Sequence, residues 1–218
     1  AVTGTFRVPA ILFKYADTPG ASLRDTAAYN SVLFAATPPS GRPYTLRTFY
    51  EELSNGMLSV QGQTYGYAAL DSNEVTYTGT PPCTGSPVAG NNCNGLFDNN
   101  QPLGPVTRMQ RGLTEALQKL DAGIDWTQYD ANGDGYVDLV VFIQPALDGA
   151  CGGSSNNHLW SHRFSLGSGY AAEFTTHSPA PGGVGFEKVR DYILQSGVGG
   201  GVSACDGTQI MPIGTVAH

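Results

Sequence analysis

The chain has 218 residues, 40% of them hydrophobic and 13% charged, with 29 Gly and 14 Pro. That balance suffices for a buried core and excludes a disordered chain, while the Gly and Pro content implies many turns and irregular connections. The net charge of −7 and the scarcity of lysine (Lys14, Lys119 and Lys188) exclude a nucleic-acid surface built on clustered cations. No apolar run approaches the roughly 18 residues that a membrane span needs.

In chain order, Thr5 to Tyr15 is a β-rich apolar run, read as a buried strand whose Pro9 implies an irregular start or an edge position. Arg24 to Phe34 reads as a helix ended by Pro38-Pro39. Thr45 to Leu53 is a second helix, with Thr45 as N-cap and Ser54-Asn55-Gly56 as its stop. Leu58 to Tyr65 alternates as a strand does. From Asp71 to Leu103 the pattern dissolves into a long polar excursion. Val106, Met109, Leu113, Ala116, Leu117 and Leu120 then form one helical stripe between Pro105 and Gly123. Tyr136 to Gln144 reads as one central strand, and Asp191 to Gln195 as a short strand between Gly-rich loops. The alternation of strands and helices predicts an α+β fold with a mixed, twisted sheet. No linker or repeat divides the chain, so residues 1–218 read as a single domain. Beginning at Ala1 without a signal peptide, the chain reads as a processed product.

None of Cys83, Cys93, Cys151 and Cys205 lies in a Cys-x-x-Cys pair, which disfavours a zinc ribbon. An even count in an acidic, Lys-poor chain favours disulfides and secretion. Of the three possible pairings, Cys83–Cys93 closing a polar loop and Cys151–Cys205 tying distant segments are favoured.

Asp130-Ala131-Asn132-Gly133-Asp134-Gly135-Tyr136-Val137-Asp138 is the most specific local signal. Asp130, Asn132, Asp134 and Asp138 place oxygens at relative positions 1, 3, 5 and 9, with Gly135 at 6 and the Tyr136 carbonyl at 7. Ca²⁺ takes such hard ligands from alternate residues of a tight loop. An EF-hand also needs Glu at position 12, where this chain has Val141. The stretch is therefore a loop-to-strand Ca²⁺ site with other ligands, or a polar turn that satisfies its own backbone. His158 and His162 flank Trp160-Ser161 and read as ligands, a base, or polar residues beside a packed Trp. Tyr192, Ile193, Leu194 and Gln195 form a strand that either adds a peptide at a sheet edge or is paired on both sides. Met211 to His218 reads as the opening of a buried helix, with Pro212 in its first turn and His218 at its end. A His that opens a His-Glu-x-x-His helix is a zinc ligand, but here only the first residue of that motif is present.

Taken together, Thr48 to Gly62 (TFYEELSNGMLSVQG), Asp125 to Asp138 (DWTQYDANGDGYVD), Val140 to Ile143 (VVFI), Leu159 to His162 (LWSH), Asp191 to Gln195 (DYILQ) and Ile213 to His218 (IGTVAH) resemble the secreted zinc metallopeptidases similar to immune inhibitor A. The resemblance implies a zincin-like N-terminal subdomain, with His218 as first zinc ligand and Tyr192 to Gln195 as the edge on which substrate lies. It also implies peptide hydrolysis assisted by Zn²⁺, a peptide or protein substrate, and the chain's own C-terminal half as partner. In that family the block at His218 continues into the general base and a second His. The 218 residues are thus expected to be the N-terminal part of a catalytic domain, cut at the metal helix and inactive alone. The competing expectations are a non-catalytic, Ca²⁺-stabilised extracellular binding module and a pseudo-peptidase.

Overall fold

Val8, Ala10 and Leu12 alternate with Ile11, Phe13 and Tyr15, and both sets are buried. A strand apolar on both sides needs protein on both faces. In the computed structural model, which describes residues 3–80, 93–95, 108–151, 157–168, 171–200 and 205–217, that strand is β1 (Gly4–Lys14). Helices α1 (Thr26–Phe34) and α2 (Leu46–Leu53) precede β2 (Leu58–Ala69), which runs parallel beside β1. Pro9 is therefore not at an edge. Pairing with the neighbour on the other side begins only at Ala10, so Pro9 costs no rung there.

Local signals account for the helices. The Asp25 side chain accepts the Ala27 N–H and caps α1. Thr45 and Thr48 exchange side-chain and backbone hydrogen bonds in a capping box that starts α2. A short helix α3 (Glu74–Thr78) lies in the stretch expected to be structureless. Helix α4 (Arg108–Leu120) buries Met109, Leu113, Ala116 and Leu117, each side chain contributing roughly 1.5–3 kcal/mol relative to exposure for the larger ones.

The run Tyr136 to Gln144 is not one strand. It divides into β3 (Tyr136–Val137) and β4 (Val140–Gln144), which belong to different sheets. The break falls at Asp138, whose N–H donates to Tyr129 O and whose carboxylate accepts from Ala131 N–H. Both bonds hold the backbone to the preceding loop rather than to a ladder. The remaining strands are β5 (His162–Ser165), β6 (Phe174–Pro179), β7 (Phe186–Val189), β8 (Asp191–Ser196), β9 (Val198–Gly199) and β10 (Gln209–Ile210), followed by α5 (Gly214–Ala217).

The main sheet has the order β2-β1-β4-β8-β5, parallel except for antiparallel β5. One face packs Ile11, Phe13, Phe142, Tyr192 and Leu194 against α4 and Trp126. The other packs Val8, Leu12, Val141 and Ile143 against α1, α2 and the Met211–Val216 segment. A second sheet, β3-β7-β6, sits beyond the Asp130 loop, and β9 and β10 form a small antiparallel pair. This is the mixed-sheet α+β fold expected.

Candidate functional site

Strand β8 is internal, and this corrects the expected substrate edge. Tyr192 to Gln195 pair with β4 on one side, and Asp191 to Leu194 pair with β5 on the other. Tyr192, Leu194 and Gln195 are fully buried. Periodicity reads a strand but not its neighbours, because the covering strand is β5 (His162–Ser165), about thirty residues away in sequence.

Among the described residues the main sheet has β2 at one edge and β5, beside β8, at the other. The start of β5 is fixed by buried polar contacts: Gln144 Nε2 donates to Leu159 O at 2.6 Å, and Tyr15 O–H donates to Gln144 Oε1 at 3.1 Å. Ser161 Oγ donates to Asp148 Oδ2 and accepts the Ser196 N–H at 3.2 Å. His162 lies between two partners, with Nδ1 at 2.7 Å from Trp160 O and Nε2 at 3.1 Å from Tyr192 Oη. The carbonyl can only accept, so the proton sits on Nδ1, and Nε2 accepts from Tyr192. Burial lowers the His162 pKa from its ordinary value, which keeps the ring neutral. His162 is therefore a positioned, neutral residue of the edge strand. Trp160 and Phe164 remain exposed on this edge.

A cleft of about 860 Å³ opens on the face of the sheet opposite α4. Ser161, His162 and Arg163 form one wall and Gly214 to Ala217 of α5 another, with Val141 and Ile193 between them. The α5 segment is held in place by long-range contacts. Arg42 donates to Met211 O at 2.8 Å and to Ile210 O, Tyr50 O–H donates to Ala217 O at 2.8 Å, and Met211 and Val216 are buried. His218, the expected zinc ligand, follows Ala217 and lies outside the described residues. Among the described residues, no group of three or more His, Cys, Asp and Glu side chains is arranged to hold a metal ion. The donor set for zinc is thus incomplete in them.

The Asp130 loop brings its predicted residues together. Asp130 Oδ1 accepts from Gly133 and Asp134 N–H, and its Oδ2 accepts from Gly135 N–H at 2.8 Å. Asn132 Oδ1 accepts from Asp134 N–H, and Asp134 Oδ1 accepts from Tyr136 N–H. Gly135, at φ +83°, takes the left-handed turn that the motif requires of its sixth residue. Burial raises the Asp138 pKa, and Asp130 and Asp134 add to that shift.

Sequence reading missed one residue at this loop. Glu187 on β7 is fully buried, and among the described residues neither carboxylate oxygen has a hydrogen-bond partner. Its pKa is pushed up to about 7, first by burial and then by Asp130, Asp134 and Asp138. No local motif marks Glu187, since β7 reaches the loop only through its pairing with β3.

Cys151 and Cys205 form the expected disulfide. Cys93 is also disulfide-bonded and fully buried, while Cys83, its expected partner, lies outside the described residues.

The chain is 26% identical, over 218 residues, to the "Pre-pro-metalloprotease PrtV" of two Vibrio cholerae serotype O1 strains, M66-2 and ATCC 39315 (El Tor Inaba N16961). Each match covers 88% of this chain and 22% of the relative, so the chain spans about a fifth of the length of these relatives. The family description "Immune inhibitor A peptidase M6, catalytic domain" matches residues 22–206, a stretch that includes the β5 edge, the Asp130 loop and the Cys151–Cys205 bridge but stops short of α5. On that match the chain belongs to the immune inhibitor A peptidase M6 family.

Proposed function

We propose that these residues form the substrate-cleft part, as one domain, of a secreted zinc endopeptidase. The observation that carries this reading is the cleft itself: β5, an edge strand of the main sheet among the described residues, and helix α5, which His218 follows in sequence, line it together. An extended peptide adds to such an edge through main-chain hydrogen bonds, and neighbouring pockets select its side chains. Here Trp160 and Phe164 offer apolar contact at the edge, and Val141 and Ile193 line the floor. His162, neutral and held at both ring nitrogens, fixes the strand's position without adding charge. The family implies Zn²⁺, which when bound supplies Lewis-acid polarisation of the scissile carbonyl and acidifies a water. His218 is its proposed first ligand. The Asp130, Asn132, Asp134 and Asp138 side chains and the Tyr136 carbonyl are the proposed Ca²⁺ ligands, all hard oxygens. The Cys151–Cys205 disulfide and the "Pre-pro" form of the relatives support secretion.

The test is casein hydrolysis. His218→Ala in the protein at its natural length is expected to abolish chelator-sensitive cleavage, and the 218 residues alone are expected to show none. Undiminished cleavage by the variant would sink the assignment of His218. Chelator-inhibited cleavage by the 218 residues would show that they already hold a complete catalytic set. An inactive natural-length protein that still binds Ca²⁺ would favour a non-catalytic extracellular module.

A further inference from the structure

Glu187 is a fully buried carboxyl group with no hydrogen-bond partner among the described residues. Neither oxygen has one, and the residue is 0% exposed. An ionised carboxylate in that position costs several kcal/mol unless a cation or a set of donors meets it. The surrounding structure shows where it points. On β7, Phe186 is exposed and Lys188 half-buried, while Glu187 and Val189 are buried, so Glu187 faces inward with Val189. Tyr136 pairs with Lys188 and Val137 with Val189, and Lys188 N–H donates to Gly135 O at 3.0 Å. One step back in this parallel register, Glu187 stands beside Gly135, the turn residue of the Asp130 loop. Its charged neighbours are the loop's own Asp130, Asp134 and Asp138.

We propose that Glu187 supplies from β7 the bidentate carboxylate that the loop lacks at its twelfth position, completing a Ca²⁺ site formed by two separate segments of the chain. The proposal rests on the Ca²⁺ reading of the loop and deepens it. In an EF-hand the twelfth residue is a Glu that gives both oxygens; here that place is Val141, which is buried in the main sheet and unable to coordinate. Two oxygens from Glu187, added to the five loop positions, bring the donor set into the range of about six to eight that Ca²⁺ takes. Asp130, Asn132 and Asp134 also accept from loop amides, which holds the loop closed. The function of the site follows from its position: the ion joins the β3-β7-β6 sheet to the loop leading into β4, the central strand beneath the cleft.

The experiment is calorimetric titration of Ca²⁺ into chelator-stripped protein, with melting curves in the presence and absence of the ion, for wild type, Glu187→Gln and Asp134→Ala. Wild type is expected to bind one Ca²⁺ and to melt higher with it. Glu187→Gln is expected to lose at least the roughly 10- to 100-fold in affinity that even changes around a site's ligands cause. Without Ca²⁺ the same variant is expected to melt no lower than wild type, because it replaces a buried carboxyl group that no donor meets with a neutral amide of the same size. Asp134→Ala is expected to weaken binding as well. If Glu187→Gln binds Ca²⁺ as tightly as wild type while Asp134→Ala does not, the loop reading stands and the role of Glu187 is refuted. If wild type shows neither heat nor a melting shift with Ca²⁺, both fail together. Should Glu187→Gln not fold, Glu187→Asp serves in its place, since its shortened carboxylate is expected to bind more weakly than wild type and equal affinity would overturn the proposal.

Discussion

Trp126→Ala is expected to lower the stability of the protein by about 3–5 kcal/mol, the usual cost of truncating a buried Trp. Trp126 is fully buried in the α4-side core, and its Nε1–H donates to Asp121 Oδ1 at 2.8 Å. Its backbone N–H donates to Ser178 Oγ at 3.1 Å, tying it to β6. The substitution therefore leaves a cavity and takes a donor from Asp121, which keeps contacts from the His177 N–H and ring. Domains are stable by only about 5–15 kcal/mol, so the loss is a large fraction of the whole. Trp126 also opens the turn Trp126–Tyr129 that delivers Asp130 to its loop. Urea denaturation is the measurement, with the midpoint expected to fall while the slope is unchanged. A loss below about 1 kcal/mol, smaller than any in the range for such truncations, would mean that Trp126 is not the packing centre described above. Trp126→Phe separates the two contributions, because it keeps most of the volume and removes the hydrogen bond to Asp121.

Removing the Cys151–Cys205 disulfide, by replacing both residues with Ala, is expected to cost about 4 kcal/mol. The bridge joins residues separated by 54 positions, and a loop of that length gives this value when the cross-link acts by restricting the unfolded chain. Local consequences are expected too. Cys205 begins the stretch that passes through β10 to α5, the helical wall of the cleft. Beyond the bridge, Arg42 and Tyr50 hold this stretch by a few hydrogen bonds to its carbonyls. Amide hydrogen exchange in residues 209–217 is therefore expected to accelerate in the double variant more than exchange in β1, which is buried on both faces. Equal urea midpoints with and without the bridge would show that the tertiary contacts of α5 alone are sufficient.

How far the local pattern carries can be judged element by element. Thr45 capped α2, Met109, Leu113, Ala116 and Leu117 of the α4 stripe are buried (Val106 lies outside the described residues), and the spacing around Asp130 formed a closed loop, because each depends on residues within about one or two turns of one another. The run from Tyr136 to Gln144 was misread as one strand, since its hydrophobicity is continuous while its hydrogen bonding breaks at Asp138. The placement of Tyr192 to Gln195 at an edge failed for a related reason: whether a strand has one neighbour or two is decided by segments far away in the chain.

The amino-acid sequence by itself determined β1, β2, α1, α2 and α4, the loop with its alternating oxygens, the even cysteine count and the order of blocks that marks the peptidase family. All of these are properties of composition, short-range periodicity or motif spacing. Only the tertiary structure decided that β5, among the described residues, is an edge strand covering β8, that α5 and β5 line one cleft, and that Glu187 stands beside Gly135. Each of these depends on pairing between segments tens of residues apart, and their register is set by burying both faces of one sheet at once rather than by any local preference.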